Sequence, residues 1–180
     1  MSGRLIAMVG PSGVGKDTVM EAMVASEPRL TLVRRVITRP TQAGGEVFDG
    51  VTVPVFKAMR DAGEFALWWS AHALYYGVPA TVDADLAAGR DLLATLSRGL
   101  LAKAQARFPG FVVISLTASP DVLAERRARR GREDHAQIAR RLARAATGVS
   151  EHIGAIEIDN SGRLDDTVQS ALNALYPVRG

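Results

Sequence analysis

Gly10-Pro11-Ser12-Gly13-Val14-Gly15-Lys16 is the stretch that decides the fold. Its G-x-x-x-x-G-K spacing is that of a phosphate-binding P-loop, and this composition supplies only about 0.03 such matches by chance. The flanks agree. Arg4 to Val9 is a short, mainly apolar run that reads as a buried strand, and Asp17 to Ser26 reads as a helix that ends before Pro28. Glycines let backbone N–H groups turn inward as a nest for phosphate oxygens, and the helix N-terminus adds the positive end of its dipole. Gly10, Ser12, Gly13, Val14, Gly15 and Lys16 are therefore the expected nucleotide cradle. Lys16 also follows charge into the transition state of phosphoryl transfer. The next position is ordinarily Ser or Thr, but this chain has Asp17 and then Thr18. A carboxylate is a hard ligand suited to Mg²⁺, and the plainer alternative is that Asp17 complements the helix dipole.

Outward from the loop, Leu30 to Ile37 reads as a second strand and Gly44 to Gly50 as a turn-rich loop. Val55 to Met59 opens a short helix, and residues 60–80 mix aromatics, Gly and Pro without clear periodicity. Strands are expected at Asp91 to Leu96, Phe111 to Thr117 and Ile153 to Ile158. Helices are expected at Leu100 to Phe108, from Pro120, at Ile138 to Thr147 and at Leu164 to Tyr176. Strands alternating with helices imply an α/β fold with a mostly parallel sheet. The expectation is a three-layer P-loop NTPase fold in a single domain over residues 1–180. An acceptor-binding insert would occupy about 34–82 and an Arg-rich lid about 128–138.

Composition narrows the chemistry. At 180 residues, 47% apolar and 23% charged, the chain can bury one core. It has no Cys, which excludes thiolate catalysis and Cys-ligated zinc, and His72, His135 and His152 are too scattered for a metal cluster. No apolar run approaches a membrane span, so a cytoplasmic protein with no membrane partner is expected. The net charge is +3, and arginines outnumber lysines nineteen to three, eight of them between Arg126 and Arg144. A planar guanidinium grips phosphate in a bidentate way, which suits phosphate-rich ligands.

Read as a whole, the chain resembles the guanylate kinase superfamily. The likeness rests on Gly-Pro-Ser-Gly-Val-Gly-Lys, Val36-Ile37-Thr38-Arg39-Pro40, Gly45-Glu46 with Asp49-Gly50, and Gly63-Glu64-Phe65. It continues through Tyr75-Tyr76-Gly77, the run Leu123 to Leu142 and Ile158-Asp159-Asn160. The departures fall where a guanylate kinase reads its base. Gln42 stands at the position of a second Arg, Val53 replaces an aromatic residue, and Val78 replaces a Thr. Leu93-Ala94-Thr95-Leu96 replaces a strand end that carries two aspartates. A purine edge is discriminated by pairing buried polar groups, and these are missing. The same strand runs instead into Ser97-Arg98. Fewer base readers and more phosphate binders resemble the ribose 1,5-bisphosphate phosphokinases of phosphonate breakdown, as does Arg130-Gly131-Arg132-Glu133.

That resemblance implies ATP and Mg²⁺ as cofactors, a small phosphorylated sugar as partner, and 5-phosphoribosyl 1-diphosphate plus ADP as products. Lys16, Arg130, Arg132 and Arg141 would act on the transferring group, with Arg126 packed on adenine and Asn160 near it. Arg39, Glu46, His72, Tyr76, Ser97 and Arg98 would hold the acceptor, while Trp68 and Trp69 are expected as buried packing. An acceptor phosphate is largely dianionic at pH 7 and needs no general base, so the lack of a catalytic His or Asp pair is expected. The competing readings are a guanylate or other nucleoside monophosphate kinase, and a non-catalytic module binding nucleic acid through residues 126–144. Oligomeric state stays open, with a homodimer among the options.

Overall fold

β1 (Leu5–Val9) is buried along its whole length, the pattern of a strand inside a parallel sheet rather than at a solvated face. The computed structural model describes residues 3–11, 13–39, 48–129 and 154–177. After β1 come α1 (Lys16–Ser26), β2 (Leu30–Leu32), β3 (Val36–Ile37), β4 (Asp49–Gly50), α2 (Val53–Asp61), β5 (Phe65–Ala71) and β6 (Leu74–Pro79). α3 (Val82–Ala87), β7 (Asp91–Thr95), a 3-10 turn (Arg98–Leu100), α4 (Leu101–Arg107) and β8 (Val112–Thr117) follow. α5 (Pro120–Arg129), β9 (Ile156–Asp159) and α6 (Leu164–Leu175) complete the described elements. One sheet has the order β2-β7-β1-β8-β9 and the other β4-β3-β6-β5. The β2–β7 and β8–β9 ladders are parallel, so the α/β class with a parallel sheet holds.

Two stretches depart from the sequence reading. Leu30 to Ile37 is not one strand: β2 pairs with β7, while β3 pairs with β4 and β6 in the other sheet. The change of partner is visible in the backbone. Val33 N–H donates to Leu93 O at 2.9 Å, and two residues later Arg35 O accepts from Asp49 N–H at 2.9 Å. Residues 65–79 form an antiparallel hairpin, β5 with β6. A bulge between Phe65 and Leu67 shifts its register. Of the lid expected at about 128–138, the residues from 130 onward lie outside the described residues, as does the helix expected at 138–147.

By its internal contacts the chain divides into two compact units, one of residues 1–6 with 28–112 and one of residues 7–27 with 113–180. In the first, α2 begins at Thr52, whose hydroxyl accepts from Val55 N–H, and packs on β5, with Phe56 fully buried. Arg4 and Asp91 close their end of this unit through a backbone hydrogen bond of 2.8 Å and a side-chain pair of 3.2 Å. In the second, α6 packs on α1 and β9. It does so through Thr167, Val168, Ala171 and Leu175, a stripe at helical spacing with Asp165 and Asp166 in the first turn.

Candidate active site

The phosphate loop lies wholly in the second unit. Gly15 is the N-cap of α1 with φ 95°, a left-handed conformation that Gly adopts without strain. A Cβ there would also meet Asn160 Nδ2 at 2.9 Å, and one on Gly10 would meet Leu116 O at 2.7 Å. Backbone approaches this close leave room for no side chain, which is what a loop cradling phosphates with its own amides requires. Lys16 Nζ donates to Gly10 O at 2.7 Å, so the ammonium is folded back across the loop. Asp17 and Thr18 follow in the first helical turn, both exposed.

Around the loop the polar groups are matched to one another. Val14 O accepts from Asn160 Nδ2 at 2.7 Å and from Arg126 Nη1 at 3.0 Å, and Arg126 Nη2 donates to Asn160 O at 2.8 Å. Bonds of this kind lie in the plane of a guanidinium, a group whose faces are suited to stacking. A cavity of about 400 Å³ opens here, with Gly13, Gly15, Thr18, Arg126 and Asn160 in its wall beside Leu164. The size and the mixture of apolar wall and few polar groups suit a nucleotide. The structure thus brings together Gly13, Gly15, Thr18, Arg126 and Asn160 of the expected cofactor residues, with Val14 bonded to two of them.

The residues expected to hold the acceptor lie in the first unit. Thr38 bonds Tyr75 in both directions, N–H to O at 3.1 Å and Tyr75 N–H to Thr38 Oγ1 at 2.9 Å, which fixes where Arg39 leaves the sheet. The Arg39 guanidinium sits 4.4 Å from the Phe48 ring centroid, and its buried Nε finds no hydrogen-bond partner among the described residues. Tyr76 stacks on Trp69 across the hairpin at 5.3 Å. Ser97 and the 3-10 turn that begins with Arg98 lie just past β7, where ligand sites of α/β sheets form. His72 stands apart from these: it is exposed at the hairpin turn, and both His72 and Ala73 have positive φ. Ser12, Glu46, Arg130, Arg132 and Arg141 lie outside the described residues.

Two findings were not expected. Trp68 is 37% exposed rather than core packing, with the Arg60 guanidinium 5.0 Å from its ring, because it alternates with Leu67 and Trp69 on the opposite face of β5. Arg35, which the sequence does not single out, is only 6% exposed. Its guanidinium lies 5.2 Å from the Tyr76 ring and 5.9 Å from that of Trp69, and Nη1 donates to Thr95 O at 3.3 Å. It ties the aromatic pair of the hairpin to the end of β7. In sequence it is one of two adjacent arginines, and nothing distinguishes it from Arg34, which pairs with Asp49 at the surface. Among the described residues no three His, Asp or Glu side chains gather as a metal site, and no helix is long and apolar enough to cross a membrane.

Similar proteins are known. The chain is 47% identical over 170 residues to a ribose 1,5-bisphosphate phosphokinase PhnN from Ruegeria sp. (strain TM1040), covering 94% of this chain and 90% of that one. It is 41% identical to the protein of the same name from Agrobacterium fabrum, covering 98% of each. In structure it is similar to a guanylate kinase from Anaplasma phagocytophilum, with a TM-score of 0.70 at 17% identity over 97% of this chain and 85% of that one. No family model matches the chain.

Proposed function

The chain belongs to the ribose 1,5-bisphosphate phosphokinase family, and from that premise we propose that it phosphorylates ribose 1,5-bisphosphate with ATP, releasing 5-phosphoribosyl 1-diphosphate and ADP. An oxygen of the acceptor's 1-phosphate forms the new bond to the γ-phosphorus as the bond to the β,γ-bridging oxygen breaks. The bonding pair leaves with ADP. The acceptor oxygen is already deprotonated at pH 7, so no side chain has to take a proton.

The phosphate loop is the observation that carries the reading. Gly10, Ser12, Gly13, Val14 and Gly15 bind the triphosphate through backbone amides. Lys16 leaves its contact with Gly10 O for the β- and γ-oxygens and neutralises the charge that develops there. Arg126 offers its guanidinium face to the adenine, with Asn160 beside it. Mg²⁺ neutralises phosphate charge when bound, and the exposed carboxylate of Asp17 and hydroxyl of Thr18 are hard oxygen donors suited to hold it.

On the acceptor side, Arg39 binds a phosphate, and its buried Nε, which has no hydrogen-bond partner among the described residues, supports that role. Arg98 and Ser97 bind the second phosphate, and Glu46 and Tyr76 contact the sugar. Arg130, Arg132 and Arg141 close on the transferring group and exclude water. The protein works in the cytoplasm on small phosphorylated molecules.

ADP release from Mg-ATP against ribose 1,5-bisphosphate, ribose 5-phosphate, GMP and no acceptor tests this. Turnover with ribose 1,5-bisphosphate alone is the expected result. Turnover with GMP instead would make the chain a guanylate kinase with an unusual base pocket.

A further inference from the structure

We infer that Thr167, on α6, is a positioning residue for the phosphate loop, acting through Asn160 on the peptide between Val14 and Gly15. Thr167 is 3% exposed, and its hydroxyl lies 2.6 Å from Asn160 Oδ1. Two other oxygens are within reach, Arg163 O at 3.3 Å and Asp159 O at 3.5 Å, but the single proton goes to the shortest contact. Asn160 is itself 6% exposed, and its amide can stand only one way round. Val14 O accepts and cannot donate, so the NH₂ end faces it at 2.7 Å. The carbonyl end must then face the Thr167 hydroxyl, which donates. Thr167 thereby selects the amide orientation that serves Val14.

The consequence reaches the phosphates by geometry. Carbonyl and N–H of one trans peptide point in opposite directions within a rigid plane. With Val14 O held by Asn160 and by Arg126, the direction of the Gly15 N–H is set as well, and Gly15 lines the nucleotide cavity. Gly15 carries no side chain to resist rotation of that peptide, so the restraint has to come from outside the loop. A donor aimed before the ligand arrives costs no reorganisation when it binds. Thr167 lies on no segment with a phosphate-binding pattern and touches no expected ligand atom.

This rests on reading the cavity as the nucleotide site. The test is calorimetric titration of Mg-ATP into the full-length protein and its Thr167→Val and Thr167→Ser variants, with KM measured for ATP and for ribose 1,5-bisphosphate. Thr167→Val keeps the shape and removes the proton. It should weaken ATP about tenfold, the equivalent of one hydrogen bond of about 1.4 kcal/mol. KM for the acceptor should stay within about twofold, and Thr167→Ser should restore wild-type affinity. Unchanged ATP affinity in a folded Thr167→Val protein overturns the inference, as does a parallel rise of both KM values that Ser fails to rescue. If Thr167→Val does not fold, Asn160→Asp carries the test, because a carboxylate oxygen then faces Val14 O; unchanged ATP affinity in that variant also overturns it. Wild-type protein that binds no ATP at all would instead remove the nucleotide-site reading, before any variant is compared.

Discussion

The two units handle polar groups in opposite ways. Around the phosphate loop, Val14 O accepts two hydrogen bonds, and the Asn160 side chain is bonded at both ends. In the unit that carries Arg39, a buried guanidinium nitrogen has no partner among the described residues. A satisfied network holds its shape without ligand, while an unpaired buried donor costs about 1–3 kcal/mol until an acceptor arrives. The nucleotide side is thus held in shape in advance, whereas on the proposed function the acceptor's phosphate would supply the partner that Arg39 lacks among the described residues. Preorganisation suits the phosphates that take part in every turnover. An unpaired donor suits selection, because a molecule without the matching phosphate leaves it unpaired.

Four substitutions bear on this contrast. The largest effect is expected from Lys16→Met, which should lower kcat by about three orders of magnitude while shifting the melting temperature by no more than about 2 °C. Near-wild-type ADP release in that variant would end the nucleotide reading. Arg39→Met should raise KM for ribose 1,5-bisphosphate about 10- to 100-fold and leave KM for ATP within about twofold. A change in both would show that the two sides are not separate in function. Arg35→Met removes the guanidinium beside Trp69 and Tyr76 and leaves Thr95 O without that donor. Denaturant unfolding should show about 2 kcal/mol of lost stability, with KM for the acceptor up about tenfold and altered tryptophan fluorescence. An unchanged spectrum would deny Arg35 its hold on the pair.

The smallest effect belongs to a surface pair. Arg107 grips Asp83 with two hydrogen bonds, 2.9 and 2.8 Å, and that bonding holds the Asp83 carboxyl below its ordinary range, against a smaller opposing effect of burial. A depressed acid stabilises the fold above its unfolded pKa, and the contribution is lost as pH falls through the folded value. Asp83→Asn should therefore cost at most about 1 kcal/mol at pH 7, since both side chains are substantially exposed, and progressively less as the pH falls through the folded-state value. A pH-independent difference in melting would remove the ion pair as its source.

The nucleotide side was legible in the chain because Gly and Lys at fixed spacing serve a backbone geometry that few other residues can adopt. β1 and β8 were legible as short apolar runs. The hairpin was not. Trp68 and Trp69, like Tyr75 and Tyr76, put aromatic side chains on both faces and erase the alternation that marks a strand. Its two-residue turn is His72-Ala73, with positive φ at both positions, where Asn-Gly would have signalled it. Arg35 and Thr167 escaped for a different reason. Their residue types are ordinary, and only burial and partners from distant segments give them a role.

The division of the chain also bears on how it folds. The nucleotide unit is assembled from residues 7–27 and 113–180, and residues 28–112, which with residues 1–6 make the other unit, lie between those two stretches in the chain. Closing a loop of that length costs about 4 kcal/mol beyond a constant term. On a ribosome, α1 and the phosphate loop emerge early, but α6, which packs on α1, and Arg126 and Asn160, which bond Val14 O, follow only after residue 112, so the intervening unit is free to fold first. Pulsed hydrogen exchange should find the Val19 amide, which donates to Gly15 O at 3.0 Å, among the last to gain protection during refolding, after those of the β5–β6 hairpin. The loop that begins the chemistry is, in this order of events, one of the last parts of the molecule to be built.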